Sequence, residues 1–399
     1  VIGASSRRGH ARFVFDDCIE DAPNIDDAAF DPWLDRLQRD KQINAFLPTH
    51  DHVAWRIHHA KRPTGLRLIG SSAATAAICA SKLEMTGVLR HFEWHPQVHD
   101  ATPASFPVFA KPDRSAGGKG TARLDNLKAW TDFFDHHPRE HYLVTDYLPG
   151  AEFTVDCFTD RHGKLLFVGP RSREAIRAGI AMQSQAISAE PFLQIARDLH
   201  ATLEFRGYWF FQTKLDIYGK HRFLEASCRA AAGIGLHRQA GVNLPLLGLL
   251  DGFDRDVSIL RQPFTVRASR ALTVAYDLPI SFSRLYIDLD DTLLIAGQPN
   301  VTAMALVYGC RQRRIRCHLI TRHAGDPIAT LRSVLIEPAI FDEIIHLDWS
   351  QKKQDFIQPD SIFIDNSFAE REAVSSRCGI PVFDVDAIPT LLTALLGEI

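Results

Sequence analysis

Pro107-Val-Phe-Ala-Lys-Pro-Asp-Arg-Ser-Ala-Gly-Gly-Lys-Gly120 is a short apolar run that leads through a lysine into a glycine-rich loop. The apolar residues are typical of a strand, and Lys111 stands at the end of that strand. Glycines let backbone N–H groups turn toward phosphate oxygens, while Lys111 and Lys119 add positive charge. The segment suggests a phosphate-binding loop, although such a loop alone also fits a simple β-hairpin turn.

Residues further along the chain provide other groups that a nucleotide site requires. The segment 146–152 follows a strand-like run, so its backbone can contact adenine and Glu152 can accept hydrogen bonds from ribose hydroxyls. Gln212 and Glu225 lie on two strand-like runs joined by a turn, and antiparallel pairing would set them face to face. Their oxygens suit Mg²⁺. Arg229, just beyond, can neutralise a developing acyl phosphate.

This combination resembles the ATP-grasp family, in particular its carboxylate–amine ligases, over about residues 1–261. The resemblance implies that ATP phosphorylates a carboxylate and that an amine then attacks the acyl phosphate to give an amide, ADP and phosphate. It also implies ATP and Mg²⁺ as cofactors. The matched residues are Lys82, Lys111, Ser115, Gly117, Gly118, Lys119, Gly120, Asp146, Tyr147, Leu148 and Glu152 for ATP, Gln212, Glu225 and Ser227 for metal, and Arg229 for catalysis.

Two positions depart from the family pattern. Ser227 stands where the Glu-x-Asn-x-Arg motif has Asn, and Gln212 stands where many members have a carboxylate. Both changes weaken a Mg²⁺ site, although hydroxyl and amide oxygens still coordinate. The alternative of an ATP-binding or scaffold protein with a degenerate ligase site therefore stays open. Arg171, Arg173 and Arg177 are candidates either for holding the acid substrate or for a solvated face.

A second group of acidic residues follows the apolar strand in Leu285-Tyr-Ile-Asp-Leu-Asp-Asp-Thr-Leu-Leu294. Burying a strand that ends in carboxylates is unfavourable unless a cation compensates, so this pattern favours a functional site. Asp288 and Asp290, two positions apart, can divide the roles of nucleophile and acid–base around one Mg²⁺.

The pattern Asp-x-Asp-x-Thr, with three residues that follow it in order, resembles the haloacid dehalogenase superfamily of phosphohydrolases. The resemblance implies that Asp288 forms an aspartyl phosphate and that Asp290 acts as acid and base. The other implied roles are phosphate binding by Thr321, charge neutralisation by Lys353, with Lys352 as the alternative, and Mg²⁺ binding by Asp288, Asp290 and Asp365. The motif spacing leaves too little chain for a cap domain, and an inert C-terminal domain is a further alternative.

The predicted fold class is multidomain, with both α/β and α+β parts. We predict a Rossmann-like α/β domain over 1–70, an ATP-grasp domain over 71–265, a linker or bridging strands over 266–282 and a capless, doubly wound haloacid dehalogenase-like domain over 283–399. In the first domain, Ala11–Phe15 and Ala45–Pro48 are strand-like and Ala29–Lys41 is helical. Because Val1 begins within a strand-like run, we expect this first domain to be incomplete.

The composition limits the classes of partner. A chain of 399 residues exceeds one ordinary core, and its net charge of −3 disfavours wholesale nucleic-acid binding. No apolar run approaches the ~18–20 residues of a membrane span. Seven scattered cysteines fit reduced thiols in the cytoplasm. We therefore expect a cytoplasmic protein with a small-molecule carboxylate, an amine and a phosphoester as substrates, without nucleic-acid or membrane partners. A homo-oligomer is left open.

Overall fold

The computed structural model describes residues 1–60, 65–115, 117–177, 179–271, 274–276 and 278–396. The chain divides into a unit formed by Pro23–Leu272 and a unit formed by Val1–Ala22 with Thr273–Ile399. The predicted boundary at residue 70 does not coincide with this division. Residues 23–70 group with the predicted ATP-grasp residues, whereas the first residues of the chain group with the C-terminal ones.

The described residues form strands and α-helices along the whole chain. The strands are β1 (Ile2–Ala4), β2 (Asp17–Ile19), β3 (Ala45–Phe46), β4 (Arg67–Leu68), β5 (Val108–Pro112), β6 (Ala122–Leu124), β7 (Tyr142–Asp146), β8 (Glu152–Thr159), β9 (Leu165–Arg177), β10 (Ile180–Gln185), β11 (Gly207–Leu215), β12 (His221–Ser227), β13 (Arg267–Ser269), β14 (Arg284–Ile287), β15 (Leu294–Ile295), β16 (Gln298–Pro299), β17 (Arg316–Thr321), β18 (Glu343–His346), β19 (Ser361–Ile364) and β20 (Val382–Phe383). The α-helices are α1 (Phe30–Lys41), α2 (Asp51–Arg56), α3 (Ala73–Ala80), α4 (Lys82–Leu89), α5 (Leu127–Phe134), α6 (Leu193–Thr202), α7 (Gly235–Gln239), α8 (Leu244–Gly252), α9 (Val301–Gln312), α10 (Pro327–Ser333), α11 (Phe368–Cys378) and α12 (Ile388–Leu396).

The largest sheet of the unit Pro23–Leu272 is antiparallel, as predicted, with the order β12-β11-β8-β9-β10-β13. Side chains alternate along a strand, so Trp209 and Phe211 of β11 pack in one core with Leu199 of α6, while Tyr208 packs in another. Strand β13 pairs with β10, so part of the predicted linker 266–282 is a sheet strand.

A smaller antiparallel sheet, with the order β6-β5-β7, presents the glycine-rich loop. Val108, Ala110 and Trp130 of α5 form its core. The loop joins β5 to β6, so the hairpin alternative is correct for its topology. Gly117, Gly118 and Gly120 have φ values of 65°, 73° and 72°, a region that glycine adopts without steric cost. Ala116 lies outside the described residues.

The N-terminal residues contain a short pair of parallel strands. Strands β3 and β4 pair in parallel, and α1 coincides with the predicted helix. The predicted strand Ala11–Phe15 is wrong, since a 3₁₀ helix spans His10–Phe13. The partner of β1 is instead β2 at Asp17–Ile19, which pairs with it in parallel. A Rossmann-like domain over 1–70 stays a prediction.

The unit containing Thr273–Ile399 has a parallel sheet with the order β18-β17-β14-β19-β20. Leu285 and Ile287 of β14 pack on one face and Tyr286 packs on the other, as expected when helices cover both faces. The chain moves outward from β14 in one direction through β17 and in the other through β19. Such a reversal leaves a crevice at the carboxyl ends of the strands, where ligands bind in open α/β sheets.

Short strands and helices fill the chain between the predicted site residues of the C-terminal unit. The stretch between Thr292 and Thr321 holds β15, β16 and α9, and the stretch between Thr321 and Lys353 holds α10 and β18. These elements occupy the two stretches among the described residues, and a capless haloacid dehalogenase-like domain stays a prediction. Among the described residues, no helix has both the length and the apolarity to cross a membrane.

Gly150→Ala is expected to destabilise the unit Pro23–Leu272 by about 1–3 kcal/mol, because a Cβ there overpacks a tight contact. That atom would lie 2.5 Å from Leu215 Cβ and 2.9 Å from the Leu215 carbonyl oxygen. Urea unfolding measures the effect. Gly87→Ala in α4, where a Cβ meets no atom within 4 Å, should leave stability unchanged or raise it. Equal losses in both variants would contradict the packing explanation.

Candidate functional site

A cavity of about 480 Å³ lies in the unit Pro23–Leu272. Among the described residues, its lining includes the cations Lys82, Lys111, Arg114 and Lys119 and the carboxylates Asp51 and Glu225. Ser115 and Ser227 also line it. Cations therefore outnumber carboxylates in the lining, an arrangement that attracts a polyanionic ligand.

Lys82 ties the glycine-rich loop to helix α4. It is the first residue of that helix, and its Nζ donates to the carbonyl oxygens of Asp113 at 3.1 Å and Ser115 at 2.8 Å. Burial lowers the pKa of Lys82, against the opposing effect of nearby carboxylates, of which Glu225 acts most strongly. Lys82 therefore holds the start of the loop while its charge faces the cavity.

Lys111 is a half-buried cation of the cavity. It lies on β5, and burial lowers its pKa to about 8, while the charge of Glu225 acts in the opposite direction. Taking an ammonium group partly out of water is costly, so this site gains from a bound anion.

Gln212 and Glu225 are direct neighbours across β11 and β12, as the sequence predicts. The strand register shifts immediately after Gln212, between Gln212 and Thr213. Glu225 lines the cavity with Ser227, two residues along the same strand. The carboxylate, hydroxyl and amide oxygens of these residues are hard ligands of the kind Mg²⁺ takes, so the donor set fits that ion.

Ser227 and Arg229 both contact a carboxylate that the sequence did not single out. Ser227 Oγ donates to Asp51 Oδ1, and Arg229 donates to Asp51 Oδ2 from Nε at 3.0 Å and from Nη2 at 2.8 Å. The guanidinium of Arg229 also lies over the Phe210 ring at 5.2 Å. Arg229 is thus fixed beside the predicted metal-binding motif, with Asp51 between it and Ser227.

The predicted adenine and ribose residues lie outside the described lining of this cavity. Asp146 N–H donates to the Gln97 carbonyl at 3.1 Å, and Tyr147 N–H donates to the Pro107 carbonyl at 3.3 Å. Leu148 is buried. These contacts fix the segment at the end of β7, and its role toward adenine stays a prediction.

The predicted ribose residue is engaged by an arginine. Glu152 Oε1 lies 2.7 Å from Arg173 Nε. Arg173 lies on β9, directly opposite Glu152. Arg171 is likewise not on a solvated face, since its Nε donates to Asp156 Oδ2 at 2.8 Å in the protein interior. Arg177 is exposed.

The buried carboxylate of Asp156 is held by two partners. His237 Nε2 lies 3.0 Å from Asp156 Oδ2, on the same oxygen that Arg171 contacts. Burial alone raises the pKa of Asp156, but the charge of Arg171 and the hydrogen bond with His237 outweigh it and keep that pKa below its usual range. This cluster fixes β8 against β9 and against α7.

In the other unit, three predicted residues meet at the carboxyl ends of the parallel strands. Lys353 Nζ donates to Asp288 Oδ1 at 2.5 Å and to Asp365 Oδ2 at 2.7 Å, and all three side chains are buried. Burial raises the pKa of Asp288 to about 6, while the charge of Lys353 opposes the rise. Lys353, not Lys352, is therefore the lysine in this cluster.

Asp290 and Thr321 lie at the same edge of the sheet but outside that cluster. Asp290 Oδ2 lies 2.9 Å from His323 Nδ1, and His323 Nε2 lies 2.8 Å from Thr330 Oγ1. Thr321 is buried at the end of β17, beside β14. His323 is thus a candidate site residue that the sequence prediction missed.

In the described part of the chain, no three His, Cys, Asp or Glu side chains are grouped to hold a metal ion. In the C-terminal unit, the ammonium group of Lys353 stands between Asp288 and Asp365, and Asp290 turns to His323. The carboxylates of Asp288 and Asp365 nevertheless both lie at the Lys353 ammonium group. Carboxylate oxygens are hard ligands of the kind that Mg²⁺ takes.

Both missed residues had a local signal in the sequence. Asp51 comes shortly after β3, and His323 comes two residues after β17. Polar residues just beyond the carboxyl end of a parallel strand are common site residues in α/β folds. Nothing local indicated which partner either one contacts.

The comparison with protein families found one match. Residues 138–273 match a family described as ATP-grasp in the biosynthetic pathway with Ter operon. No curated protein matches the chain. The family match ends at residue 273, so the haloacid dehalogenase-like domain over 283–399 stays a prediction.

Solved structures of low sequence identity share the fold. The biotin carboxylase domain dimer of Hydrogenobacter thermophilus 2-oxoglutarate carboxylase, in complex with MgADP, ADP and bicarbonate, is 14% identical with a TM-score of 0.53. That similarity covers 64% of this chain and 64% of that one, so the chain spans less than two thirds of that domain. A Campylobacter jejuni biotin carboxylase–β,γ-ATP complex is 14% identical with a TM-score of 0.52, covering 67% of this chain and 69% of that one.

A third structure belongs to a different enzyme. Staphylococcus aureus N5-carboxyaminoimidazole synthetase, complexed with ADP, is 12% identical with a TM-score of 0.50, covering 62% of this chain and 68% of that one. At this identity, the similarities concern the fold alone. Together with the family match over residues 138–273, they show that this chain contains a mixed α/β ATP-grasp fold.

Proposed function

We propose that the unit Pro23–Leu272 is an ATP-dependent ligase that joins a carboxylate to an amine through an acyl phosphate. The observation that supports it best is the cavity in which Lys82 and Lys111 face Glu225 beside a glycine-rich loop. The named structures of the same fold are complexes with MgADP and ADP, with β,γ-ATP or with ADP. ATP and Mg²⁺ are therefore the cofactors we propose.

Each charged group has a role in this proposal. Lys82, Lys111 and Lys119 hold the phosphates with the loop glycines, and Glu225, Gln212 and Ser227 would hold Mg²⁺. The ion neutralises phosphate charge when bound. Arg229 stabilises the negative charge of the acyl phosphate. Asp146, Tyr147 and Leu148 for adenine, and Glu152 for ribose, remain proposals from the family resemblance.

The test is ADP release in Mg²⁺ and ATP with a panel of carboxylates, with hydroxylamine to trap the acyl phosphate as a hydroxamate. A ligase gives ADP and hydroxamate in equal amounts with at least one acid. The rival, an ATP-binding or scaffold protein with a degenerate site, binds the nucleotide but gives neither product with any acid.

The affinity for a non-hydrolysable ATP analogue is expected to fall as the pH rises through about 8. Burial lowers the pKa of Lys111, so its ammonium is charged below that pH and neutral above it, and the phosphate oxygens need the charged form. Titration calorimetry from about pH 6.5 to about pH 9.5 measures the affinity at pH values both below and above the pKa of Lys111. Lys111→Met should bind more weakly at neutral pH and lose most of the dependence. An undiminished decline in that variant would assign the effect to another group.

We also propose a Mg²⁺-dependent phosphohydrolase of the haloacid dehalogenase type over residues 283–399. The supporting observation is the buried contact of Lys353 with Asp288 and Asp365 at the carboxyl ends of β14 and β19. Asp288 would attack phosphorus, Asp290 would protonate the leaving oxygen and later deprotonate water, and Thr321 would bind the phosphoryl group. His323 contacts Asp290 and orients it.

Hydrolysis of a generic aryl phosphate in Mg²⁺, compared between the natural protein and Asp288→Asn, tests this second function. Loss of hydrolysis in the variant supports it. Equal rates, or no hydrolysis by either protein, favour an inert C-terminal domain.

A further inference from the structure

Asp51 brings a carboxylate into the nucleotide cavity from outside the predicted ATP-binding motifs. It is the first residue of α2, lines the cavity and keeps a side-chain exposure of 25%. Its hydrogen bonds with Ser227 and Arg229 place it at the end of β12, where the predicted metal motif lies. Asp51 therefore stands at the reacting end of the cavity in the proposed ligase.

These contacts do not use the full capacity of the Asp51 carboxylate. An ionised carboxylate has about four acceptor positions, and the three hydrogen bonds from Ser227 and Arg229 are the ones the described residues make to it. The partly exposed side chain leaves acceptor capacity toward the cavity. A ligand with donor groups can therefore bind Asp51 without breaking its bonds to Arg229.

A carboxylate in the cavity gives an amine substrate a partner of opposite charge. A primary aliphatic amine is a cation at neutral pH, and an anionic group offsets its repulsion by the Arg229 guanidinium. Of the two carboxylates that line the cavity among the described residues, Glu225 belongs to the proposed metal site. Asp51 is then the group left to attract an ammonium ion.

Position as well as charge assigns this role. Arg229 stabilises the acyl phosphate in the proposed reaction, so the attacking nitrogen must approach close to the Arg229 guanidinium. Asp51 Oδ2 lies 2.8 Å from Arg229 Nη2. An ammonium bound to Asp51 is therefore held next to the carbon that it must attack, which raises its effective concentration.

We propose that Asp51 is the binding residue for the amine substrate, which is a primary amine that enters as its ammonium ion. This inference rests on the proposed ligase function. The bound ammonium first loses one proton to water, which frees the nitrogen lone pair. The nitrogen then forms the C–N bond, the C–O bond to phosphate breaks, and the electron pair of that bond leaves with the phosphate. The second proton of the nitrogen goes to the departing phosphate, so atoms and charge balance.

Asp51→Asn separates the amine step from the steps before it. Hydroxylamine is largely uncharged at pH 7.5 and needs no anionic partner, whereas glycine, L-lysine and ethylenediamine carry ammonium groups. Because Asp51 also contacts Arg229 and Ser227, Asp51→Asn is expected to slow both products, so the measured quantity is the ratio of amide to hydroxamate. With the carboxylate identified by the hydroxamate test, that ratio should fall at least about tenfold, since one charged hydrogen bond to the amine is lost.

Two further variants control for folding and for charge. Asp254→Asn removes another Asp–Arg pair of the same unit, the contact of 2.6 Å with Arg67, and should leave both products unchanged. Asp51→Glu keeps the charge and should retain part of the amide formation. Binding of a non-hydrolysable ATP analogue shows whether each variant keeps the cavity folded.

Several outcomes overturn the inference. Equal loss of hydroxamate and amide in Asp51→Asn would mean that Asp51 only positions Arg229, and no loss of either would mean that the amine binds elsewhere. If the natural protein forms no hydroxamate with any acid, the ligase proposal itself fails. In that case, calorimetric binding of the three amines to the natural protein and to Asp51→Asn decides the inference, and equal binding overturns it.

Discussion

Glu225→Gln is expected to lower carboxylate-dependent ADP release by at least about 100-fold. Glu225 is the carboxylate of the proposed Mg²⁺ site, and its neighbours Gln212 and Ser227 contribute neutral oxygens. Removing the negative charge leaves no anionic ligand in that set. It also removes the charge that favours the protonated forms of Lys82 and Lys111. Initial rates at several Mg²⁺ concentrations measure the effect.

Glu174→Gln is the matched control for this change. Glu174 is an exposed residue of β9, and its Oε1 accepts a hydrogen bond of 2.8 Å from Ser172 Oγ. That variant should keep the natural rate. A Glu225→Gln protein with a rate within a fewfold of the natural one would contradict the assignment of Glu225 to the metal site.

Lys353→Met is expected to destabilise the C-terminal parallel sheet by about 3–5 kcal/mol, because it leaves two buried carboxylates without their cation. Asp288 and Asp365 are both in contact with the Lys353 ammonium. Hydrogen exchange in peptides that cover β14 and β19 measures the loss of local stability, and aryl phosphate hydrolysis should disappear with it. Hydrogen exchange reports on β14 and β19 directly, whereas a single melting temperature is not well defined for a chain with two units.

Lys352→Met is the matched control, since its side chain is exposed one residue away. It should leave exchange and hydrolysis unchanged. The double variant Asp288→Asn with Lys353→Met should recover part of the lost stability, because one uncompensated carboxylate is removed. If Lys353→Met exchanges as slowly as the natural protein, the buried charge cluster is not what stabilises this edge.

The sequence predicted those contacts that depend on local pairing. The turn between Gln212 and Glu225 predicts that their strands pair antiparallel. The register nearest the turn pairs Thr213 with Phe223, so the shift after Gln212, and not the turn alone, brings Gln212 opposite Glu225. Asp288 and Asp365 follow two buried apolar strands, and parallel pairing of those strands brings both residues to one edge. A short-range rule thus brings Asp288 and Asp365 together once the strands are recognised, whereas the exact partner of Gln212 depends on a register shift that the sequence pattern does not show.

Contacts between distant segments were beyond the same reasoning. Asp51 lies 176 positions before Ser227, and no local pattern relates the two. The expected solvated or substrate-binding role of Arg171 gave way to a buried pair with Asp156, which requires knowing that both strands turn these side chains inward. The grouping of Val1–Ala22 with Thr273–Ile399 likewise depends on tertiary packing, which sequence periodicity does not contain.

Transfer of oxygen from the carboxylate to phosphate tests the central claim most directly. With a carboxylate labelled with ¹⁸O, the acyl phosphate forms through a carboxylate oxygen, and that oxygen leaves with phosphate when the amine or hydroxylamine attacks. The proposed ligase predicts one ¹⁸O atom in each phosphate released with ADP. ADP release with unlabelled phosphate would show attack by water on ATP and would contradict the ligase account.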